Sequence, residues 1–181
     1  MKNVWGRVPH LFQKPIIQNI LHQIMNQNSH GNLLVQCSGQ GKSTVYQSVG
    51  NILRGVTVII QPTLALCANQ LSKIDFANVT DYAIVGIECD SIKSTSCFEL
   101  LENTLLNLGS STTANIYLFV SPETLLKNNW MTLLETLIQK KIMRLLVIDE
   151  VHLFVEFGMS FRKSICDLKK VLFDKLWSDK S

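Results

Sequence analysis

The sequence predicts an α/β domain in which a mostly parallel sheet has helices on both faces. Five apolar runs rich in Val, Ile and Leu recur along the 181 residues, and stretches with helical periodicity separate them. The runs lack the polar–apolar alternation of half-exposed strands, which is typical of strands that are covered on both faces. A Gly-rich segment follows the first run, at the carboxyl end of a strand, where open parallel sheets bind ligands.

The predicted elements alternate along the chain. A helix is expected at 13–24, because apolar residues recur there at helical spacing and Pro15 is tolerated in a first turn. A polar loop follows at 26–32. The predicted strands are 32–37, 56–61, 82–87, 115–120 and 144–149. The helices are expected near 43–53, 64–74, 98–108 and, in one or two pieces, 123–140, with a last helix at about 161–176.

Composition limits the classes of protein that are compatible with this sequence. Apolar residues make up 46% and charged residues 17%, which excludes a disordered chain. The longest apolar runs are too short to span a bilayer, and the first residues lack the apolar core of a signal peptide. Five cysteines without a CxxC pair predict reduced thiols rather than disulfides or zinc ligands. We therefore expect a single intracellular domain over 1–181, without membrane contact. Its net charge of +3 permits nucleic-acid binding but does not argue for it.

The segment 36–44, Gln-Cys-Ser-Gly-Gln-Gly-Lys-Ser-Thr, predicts a loop that binds a nucleoside triphosphate. A Gly-rich turn between a strand and a helix directs backbone N–H groups into one concavity, which suits a polyphosphate. Lys42 is expected to reach the outer phosphates, and the Ser43 hydroxyl to bind Mg²⁺. One position departs from the motif, since Gln36 replaces its first glycine. The expected nucleotide contacts are Ser38, Gly39, Gln40, Gly41, Lys42, Ser43 and Thr44.

The second chemical pattern is an apolar strand that ends in two carboxylates, Asp149 and Glu150. ATPases with a phosphate loop present one carboxylate to Mg²⁺ and a second one to the attacking water. Asp149 is therefore expected to hold the metal opposite Ser43, and Glu150 to orient or deprotonate the water. The catalytic residues predicted are Lys42, Asp149 and Glu150. The alternative is a strand that stops at an acidic turn.

Further segments carry a resemblance to a known family. They are Gly-Lys-Ser-Thr-Val-Tyr-Gln at 41–47, Gln-Pro-Thr-Leu at 61–64, Val-Ser-Pro-Glu-Thr-Leu at 120–125 and Leu-Phe-Val-Glu-Phe-Gly-Met-Ser-Phe-Arg at 153–162. Together with the patterns above, they resemble the first motor domain of superfamily 2 helicases, and within these the RecQ-like DNA helicases. The resemblance covers residues 13–162. It implies a RecA-like P-loop NTPase fold, ATP and Mg²⁺ as cofactors, and single-stranded or forked DNA as partner.

The resemblance also implies residues that contact DNA. Thr63 and Ser121 stand in loops that touch the DNA backbone in the family, although Ser121 is alternatively a helix cap. The loop after Glu150 implies contacts by Phe157, Phe161 and Arg162, with simple core packing of the phenylalanines as the alternative. The family pattern there is close to Gln-Trp-Gly-His-Asp-Phe-Arg. This chain departs from it at 157, 159 and 160, where Phe, Met and Ser replace Trp, His and Asp.

Gln13 stands where the family has a glutamine that reads the adenine ring. Gln18 is a competing choice, and either side chain is alternatively a plain surface residue. The family also has a second RecA-like domain that supplies arginine fingers, and the 181 residues contain none of it. We therefore expect this domain alone to hydrolyse ATP very slowly, and we leave open whether it acts as an enzyme by itself.

The interpretation that these features favour is the ATP-binding motor domain of a RecQ-like, ATP-dependent DNA helicase. One alternative is another superfamily 2 ATPase, such as an RNA helicase or a translocase. The other is a catalytically decayed remnant that binds nucleotide or DNA without turnover, which the departures at Gln36, Met159 and Ser160 favour. A DNA helicase is expected in the nucleus of a eukaryote and otherwise in the cytoplasm.

Overall fold

The computed structural model describes residues 10–26, 31–36, 39–62, 84–109 and 113–152, together with positions 66, 68, 70, 71, 163, 167 and 170. Within these residues the elements are α1 (Gln13–Met25), α2 (Lys42–Leu53), β1 (Gly55–Ile60), β2 (Ile84–Glu88), α3 (Thr95–Leu106), β3 (Asn115–Val120), α4 (Pro122–Leu125), α5 (Asn128–Gln139) and β4 (Met143–Ile148). A 3₁₀ turn, Cys89–Ser91, follows β2. The described strands form one sheet in the order β2-β3-β1-β4, and each neighbouring pair is parallel. The predicted fold class is confirmed.

The two central strands divide the core into two layers. β1 and β3 are buried at every position, and successive residues point to opposite faces of the sheet. Val58 and Leu118 pack in a cluster with α3, α4 and α5, whereas Ile59 and Phe119 pack on the other face with Tyr46 of α2. A third cluster joins α1 to α2. Helices therefore cover both faces, as the continuous apolar runs predict.

A buried tyrosine and a glycine fix α2 on the sheet. The hydroxyl of Tyr117 in β3 donates towards the Gln47 carbonyl oxygen at 2.9 Å and Oδ1 of Asn51 at 2.7 Å. Gly50 makes the close approach possible, because a Cβ atom there would lie 2.7 Å from Oγ1 of Thr57. Since α2 begins directly after the Gly-rich loop, these contacts also fix where that loop lies.

Most predicted boundaries lie within a few residues of those observed. α3 begins earlier than predicted, because Oγ of Ser94 accepts a hydrogen bond from the Cys97 N–H at 3.2 Å and caps the helix. The region 123–140 forms two helices, α4 and α5. Of the helices predicted at 64–74 and 161–176, the structure describes single helical residues: Leu66, Ala68, Gln70, Leu71, Lys163, Asp167 and Lys170. None of the described helices is long and apolar enough to cross a bilayer.

The strand predicted at 32–37 is wrong over 32–36, which form no strand in the structure. Leu33 is 75% exposed and Val35 is 80% exposed. Leu34 between them packs against the cluster of α1 and α2 rather than in a ladder with β4. A short apolar run does not identify its own packing partner, and here only its middle residue, Leu34, is packed, against the pair of helices.

Candidate nucleotide-binding site

The loop before α2 has backbone geometry that favours glycine. Gly39 has φ +81° and Gly41 has φ +78°, both in the left-handed region. Gly39 and Gln40 are exposed, and the first turn of α2 contains Lys42, Ser43 and Thr44. The first N–H groups of a helix lack intrahelical acceptors and carry partial positive charge. The predicted nucleotide contacts at 39–44 thus lie around a partly exposed helix N-terminus that suits a phosphate group.

Gln13 forms hydrogen bonds to the backbone of this loop. Its side chain is buried, with 1% exposure, and Nε2 donates to the carbonyl oxygens of Gly41 at 3.0 Å and Gln40 at 3.4 Å. Its Oε1 accepts from the His10 N–H at 2.8 Å. Gln18, the competing choice on the same helix, is exposed. Gln13 therefore lies against the phosphate loop, while its predicted contact with adenine stays a prediction.

The side chain of Lys42 folds across the loop onto the main chain that precedes it. Its Nζ donates to the backbone carbonyl oxygen of Gln36 at 3.1 Å. This acceptor belongs to the main chain, which every residue supplies, so the contact does not depend on the glycine that the motif usually has there. The positive charge of Lys42 acts on Asp149 as the weakest of several influences on the pKa of that carboxyl, in the lowering direction.

Asp149 lies at the carboxyl end of β4 and each of its carboxylate oxygens has a donor. Oδ1 accepts from the Glu150 N–H at 3.0 Å, and Oδ2 accepts from Nε2 of Gln61 at 3.3 Å. Glu150 follows with φ +52°, and its Oε2 lies 3.2 Å from Nδ1 of His152. The chain therefore turns sharply at Glu150, so that the two neighbouring carboxylates are held in different surroundings.

The pKa of Asp149 is raised above its usual value of 3.8, chiefly because burial disfavours the charged form and secondarily because Glu150 is negative. Hydrogen bonds from the Glu150 backbone and from Gln61 act in the opposite direction, as does the charge of Lys42. A bound cation would offset both causes of the increase. The electrostatics of this strand end therefore suit a metal ion.

Ser43, the other predicted metal ligand, is held in a similar way. Its Oγ accepts a hydrogen bond from Nε2 of Gln70 at 2.9 Å. A serine hydroxyl and an aspartate carboxylate are hard oxygen ligands, and Mg²⁺ prefers a small number of these together with water and substrate phosphates. Gln61 and Gln70 both follow β1, so one segment of chain contacts both predicted ligands. Ser43 and Asp149 therefore fit a magnesium ion.

Replacing Asp149 by Asn is expected to stabilise the metal-free chain at neutral pH. Because the folded-state pKa is raised, the folded protein binds more protons than the unfolded one between pH 3.8 and the raised value. The ionised carboxylate consequently reduces stability above this window. The gain should shrink as pH falls through the window, when the parent carboxylate becomes protonated. Urea unfolding in EDTA at several pH values measures this difference. A gain that is independent of pH would contradict the expectation.

Ser121, one of the predicted DNA contacts, is 6% exposed and is engaged within the protein. Its Oγ accepts from the Thr124 N–H at 3.2 Å, which caps α4. Its hydroxyl donates to Oδ1 of Asp90, and its N–H donates to Oδ2 of Asp90 at 2.8 Å. The alternative interpretation, a helix cap, is therefore what the structure contains. A DNA contact by this hydroxyl stays a prediction and requires the side chain to leave Asp90.

Other predicted site residues lie outside the described residues: Ser38, Thr63, Phe157, Phe161 and Arg162, together with the departures at Met159 and Ser160. Four residues with a place in the described site were missed by the sequence interpretation: Gln61, Gln70, Asp90 and His152. Gln61 is the last residue of the strand predicted at 56–61, and Asp90 lies three residues after the strand predicted at 82–87, at the edge where ligands bind in such sheets. Their position at the end of a strand could therefore have identified both as candidate site residues. Gln70 had no such indication, because its partner Ser43 is known only from the tertiary structure.

The chain is similar to RecQ-like helicases over most of its length. It is 31% identical over 169 residues to the ATP-dependent DNA helicase hus2/rqh1 of Schizosaccharomyces pombe, covering 89% of this chain and 12% of that protein. It is 29% identical over 141 residues to the ATP-dependent DNA helicase RecQ of Haemophilus influenzae, covering 78% of this chain and 20% of that protein.

A third relative is the RecQ-like DNA helicase blm-1 of Caenorhabditis elegans, 27% identical over 155 residues, covering 85% of this chain and 15% of that protein. No protein-family model matches the chain. The chain spans between 12% and 20% of the length of these three relatives. The resemblance seen in the sequence motifs is confirmed.

Proposed function

The chain belongs to the RecQ-like helicases over the length that it covers, and from this premise we propose that it is an ATP-binding motor domain that binds Mg-ATP and DNA. The observation that carries this proposal is that the segment after β1 contacts both Ser43 of the loop, through Gln70, and Asp149 of the strand end, through Gln61. A phosphate loop and an acidic strand end must meet in this way to hold one Mg-nucleotide. The relatives are DNA helicases by name, which favours DNA over RNA as the nucleic acid.

Each residue of the described site has a distinct part in this proposal. Backbone N–H groups at Gly39–Thr44 and the Lys42 ammonium hold the phosphates. Ser43 and Asp149 hold Mg²⁺, which when bound neutralises charge on the phosphate oxygens. Glu150 accepts a proton from a water or orients it, and His152, whose Nδ1 lies 3.2 Å from Oε2 of Glu150, helps to hold that carboxylate. Gln13 positions the loop through Gly41.

The proposal extends to partners outside the chain. A second RecA-like domain would close on the nucleotide and supply the arginine that phosphoryl transfer requires. DNA would contact the loops at the carboxyl edge of the sheet that contain Thr63 and Ser121, and the aromatic loop with Phe157, Phe161 and Arg162. Phosphate contacts of this type position the nucleic acid without reading its sequence. Such a protein would act where chromosomal DNA is, in the nucleus of a eukaryote and otherwise in the cytoplasm.

Replacing Lys42 by Ala is expected to abolish detectable Mg-ATP binding while the fold persists. A charge-assisted contact contributes about 2–3 kcal/mol, which corresponds to roughly 30–150-fold in Kd. Titration of the 181-residue chain with a fluorescent ATP analogue in Mg²⁺ measures the loss, with circular dichroism as the check on folding. Lys140→Ala is the matched control, because Lys140 is exposed after the end of α5. Equal binding by Lys42→Ala and the parent chain would refute the phosphate-loop assignment.

A further inference from the structure

Two buried glutamines after β1 each contact a different predicted metal ligand. We propose that Gln61 and Gln70 are positioning residues for the Mg²⁺ of bound Mg-ATP. In this arrangement their amide nitrogens hold the carboxylate of Asp149 and the hydroxyl of Ser43 in the orientation that binds the metal. The inference rests on the proposed function, and it assigns to this segment a role in the metal site itself.

Gln70 fixes the hydroxyl of Ser43. Gln70 is a helical residue with an exposed fraction of 9%. Its Nε2 lies 2.9 Å from Oγ of Ser43. A hydroxyl oxygen has two lone pairs and one proton. Gln70 occupies one lone pair, so the second remains for a cation and the proton remains for another acceptor. The contact therefore selects a side-chain rotamer of Ser43 without using the atom's capacity to bind a metal.

Gln61 acts in the same way on Asp149. It is fully buried, with 0% exposure, and its backbone N–H donates to the Val120 carbonyl oxygen at 3.0 Å, which fixes its position beside β3. Its Nε2 lies 3.3 Å from Oδ2 of Asp149, while the backbone N–H of Glu150 holds Oδ1. One donor on each oxygen sets the plane of the carboxylate and leaves lone pairs on both atoms for the metal or its water.

The amide oxygens of both glutamines are buried and accept no hydrogen bond from any described residue. A buried acceptor without a donor is unfavourable, and such atoms in folded proteins call for an explanation such as an ion or water. Because neither oxygen is open to a water molecule in this conformation, the positioning role rests on the two amide nitrogens. The other unpartnered buried atoms outside the site, on Ser48, Asn51 and Asn115, belong to residues without a contact to either predicted ligand.

The test compares Gln61→Met and Gln70→Met with the parent 181-residue chain. Methionine keeps the length of the side chain and removes both polar atoms. Binding of a fluorescent ATP analogue is titrated in EDTA and at a series of Mg²⁺ concentrations. We expect the affinity in EDTA to be unchanged, whereas the Mg²⁺ concentration that gives half-maximal enhancement rises about 10–100-fold. The thermal midpoint in EDTA is measured for each variant as the check on folding. Gln139→Met, at the exposed end of α5, is the control.

The other outcomes separate this inference from the proposed function. A parent chain that shows no Mg²⁺-dependent nucleotide binding overturns both. A parent that binds, with unchanged Mg²⁺ requirement in both variants, overturns the inference alone. Equal loss of affinity in EDTA and in Mg²⁺ also overturns it, because that result indicates support of the loop rather than of the metal. If a methionine variant does not fold, Gln61→Asn and Gln70→Asn give the same measurement, since they retain the amide but withdraw it by one methylene.

Discussion

Replacing Asp90 by Ala is expected to lower the free energy of unfolding by about 3–5 kcal/mol, because three donors lose a buried acceptor and each unsatisfied donor costs about 1–3 kcal/mol. The Asp90 carboxylate accepts from the Ser121 N–H at 2.8 Å, from the Ser121 hydroxyl, and from Oγ1 of Thr124 at 2.6 Å. Asp90 itself is 9% exposed. Since it follows β2 and Ser121 follows β3, the carboxylate joins the ends of two neighbouring strands.

Urea unfolding of the 181-residue chain measures this loss, with an unchanged m-value as the indication that both transitions expose the same surface. Asp90→Asn is the matched variant. It keeps one acceptor oxygen and should therefore lose less stability than Asp90→Ala. Asp167→Ala controls for removal of a carboxylate elsewhere on the chain. If Asp90→Ala and Asp90→Asn both cost less than about 1 kcal/mol, the carboxylate does not carry the hydrogen bonds that the geometry assigns to it.

Replacing Gly41 by Ala is the second large effect, with an expected loss of about 3–4 kcal/mol in the free energy of unfolding. The left-handed conformation, φ +78°, costs an L-residue about 1–2 kcal/mol. In addition, the new Cβ would lie 2.6 Å from Nε2 of Gln13. Gln13 would have to move and leave its hydrogen bonds to the loop, which adds about 1–3 kcal/mol. Mg-ATP affinity should fall as well, because the loop would no longer be held in its observed shape.

Gly39→Ala separates the two causes of that loss. Gly39 has φ +81°, so the conformational strain is similar, but a Cβ atom there meets nothing within 4 Å. Gly39→Ala should therefore lose only the strain term, about 1–2 kcal/mol. A Gln13→Ala background removes the obstructing side chain, so Gly41→Ala should cost less there than in the parent chain. Equal losses for Gly39→Ala and Gly41→Ala, with no coupling to Gln13, would show that the contact with Gln13 is unimportant.

Much of the fold was predictable from local patterns. The runs at 56–61, 115–120 and 144–149 form β1, β3 and β4 within one or two residues. Their continuous apolar character predicts strands that are covered on both faces. Ser94 extended α3 beyond its apolar stripe because a cap residue decides where a helix begins. The prediction failed at 32–36, where a short apolar run could pack on a sheet or on helices and did the latter.

The candidate site was predictable as a set of residue types but not as a set of contacts. The order Gly-Gln-Gly-Lys-Ser at 39–43 and the Asp-Glu pair at 149–150 specify backbone geometry and ligand chemistry, which depend on the residues themselves. Of the partners, Gln13 was predicted only through the family resemblance and as an adenine contact, and Gln61 and Gln70 were assigned no role. A glutamine is equally suited to a surface, and burial with a specific donor geometry follows from which elements are neighbours in space.

The sequence by itself determined the class of fold, the glycine positions of the loop before α2 and the two carboxylates at a strand end, because periodicity, glycine conformation and residue type are local properties. The tertiary structure decided which side chains hold these groups. The strand order β2-β3-β1-β4 places β1 between β3 and β4, so Gln61 reaches Asp149 although 88 positions separate them. The same order places Asp90 beside Ser121. Contacts between distant positions arise from the packing of whole elements, and no local pattern along the chain encodes them.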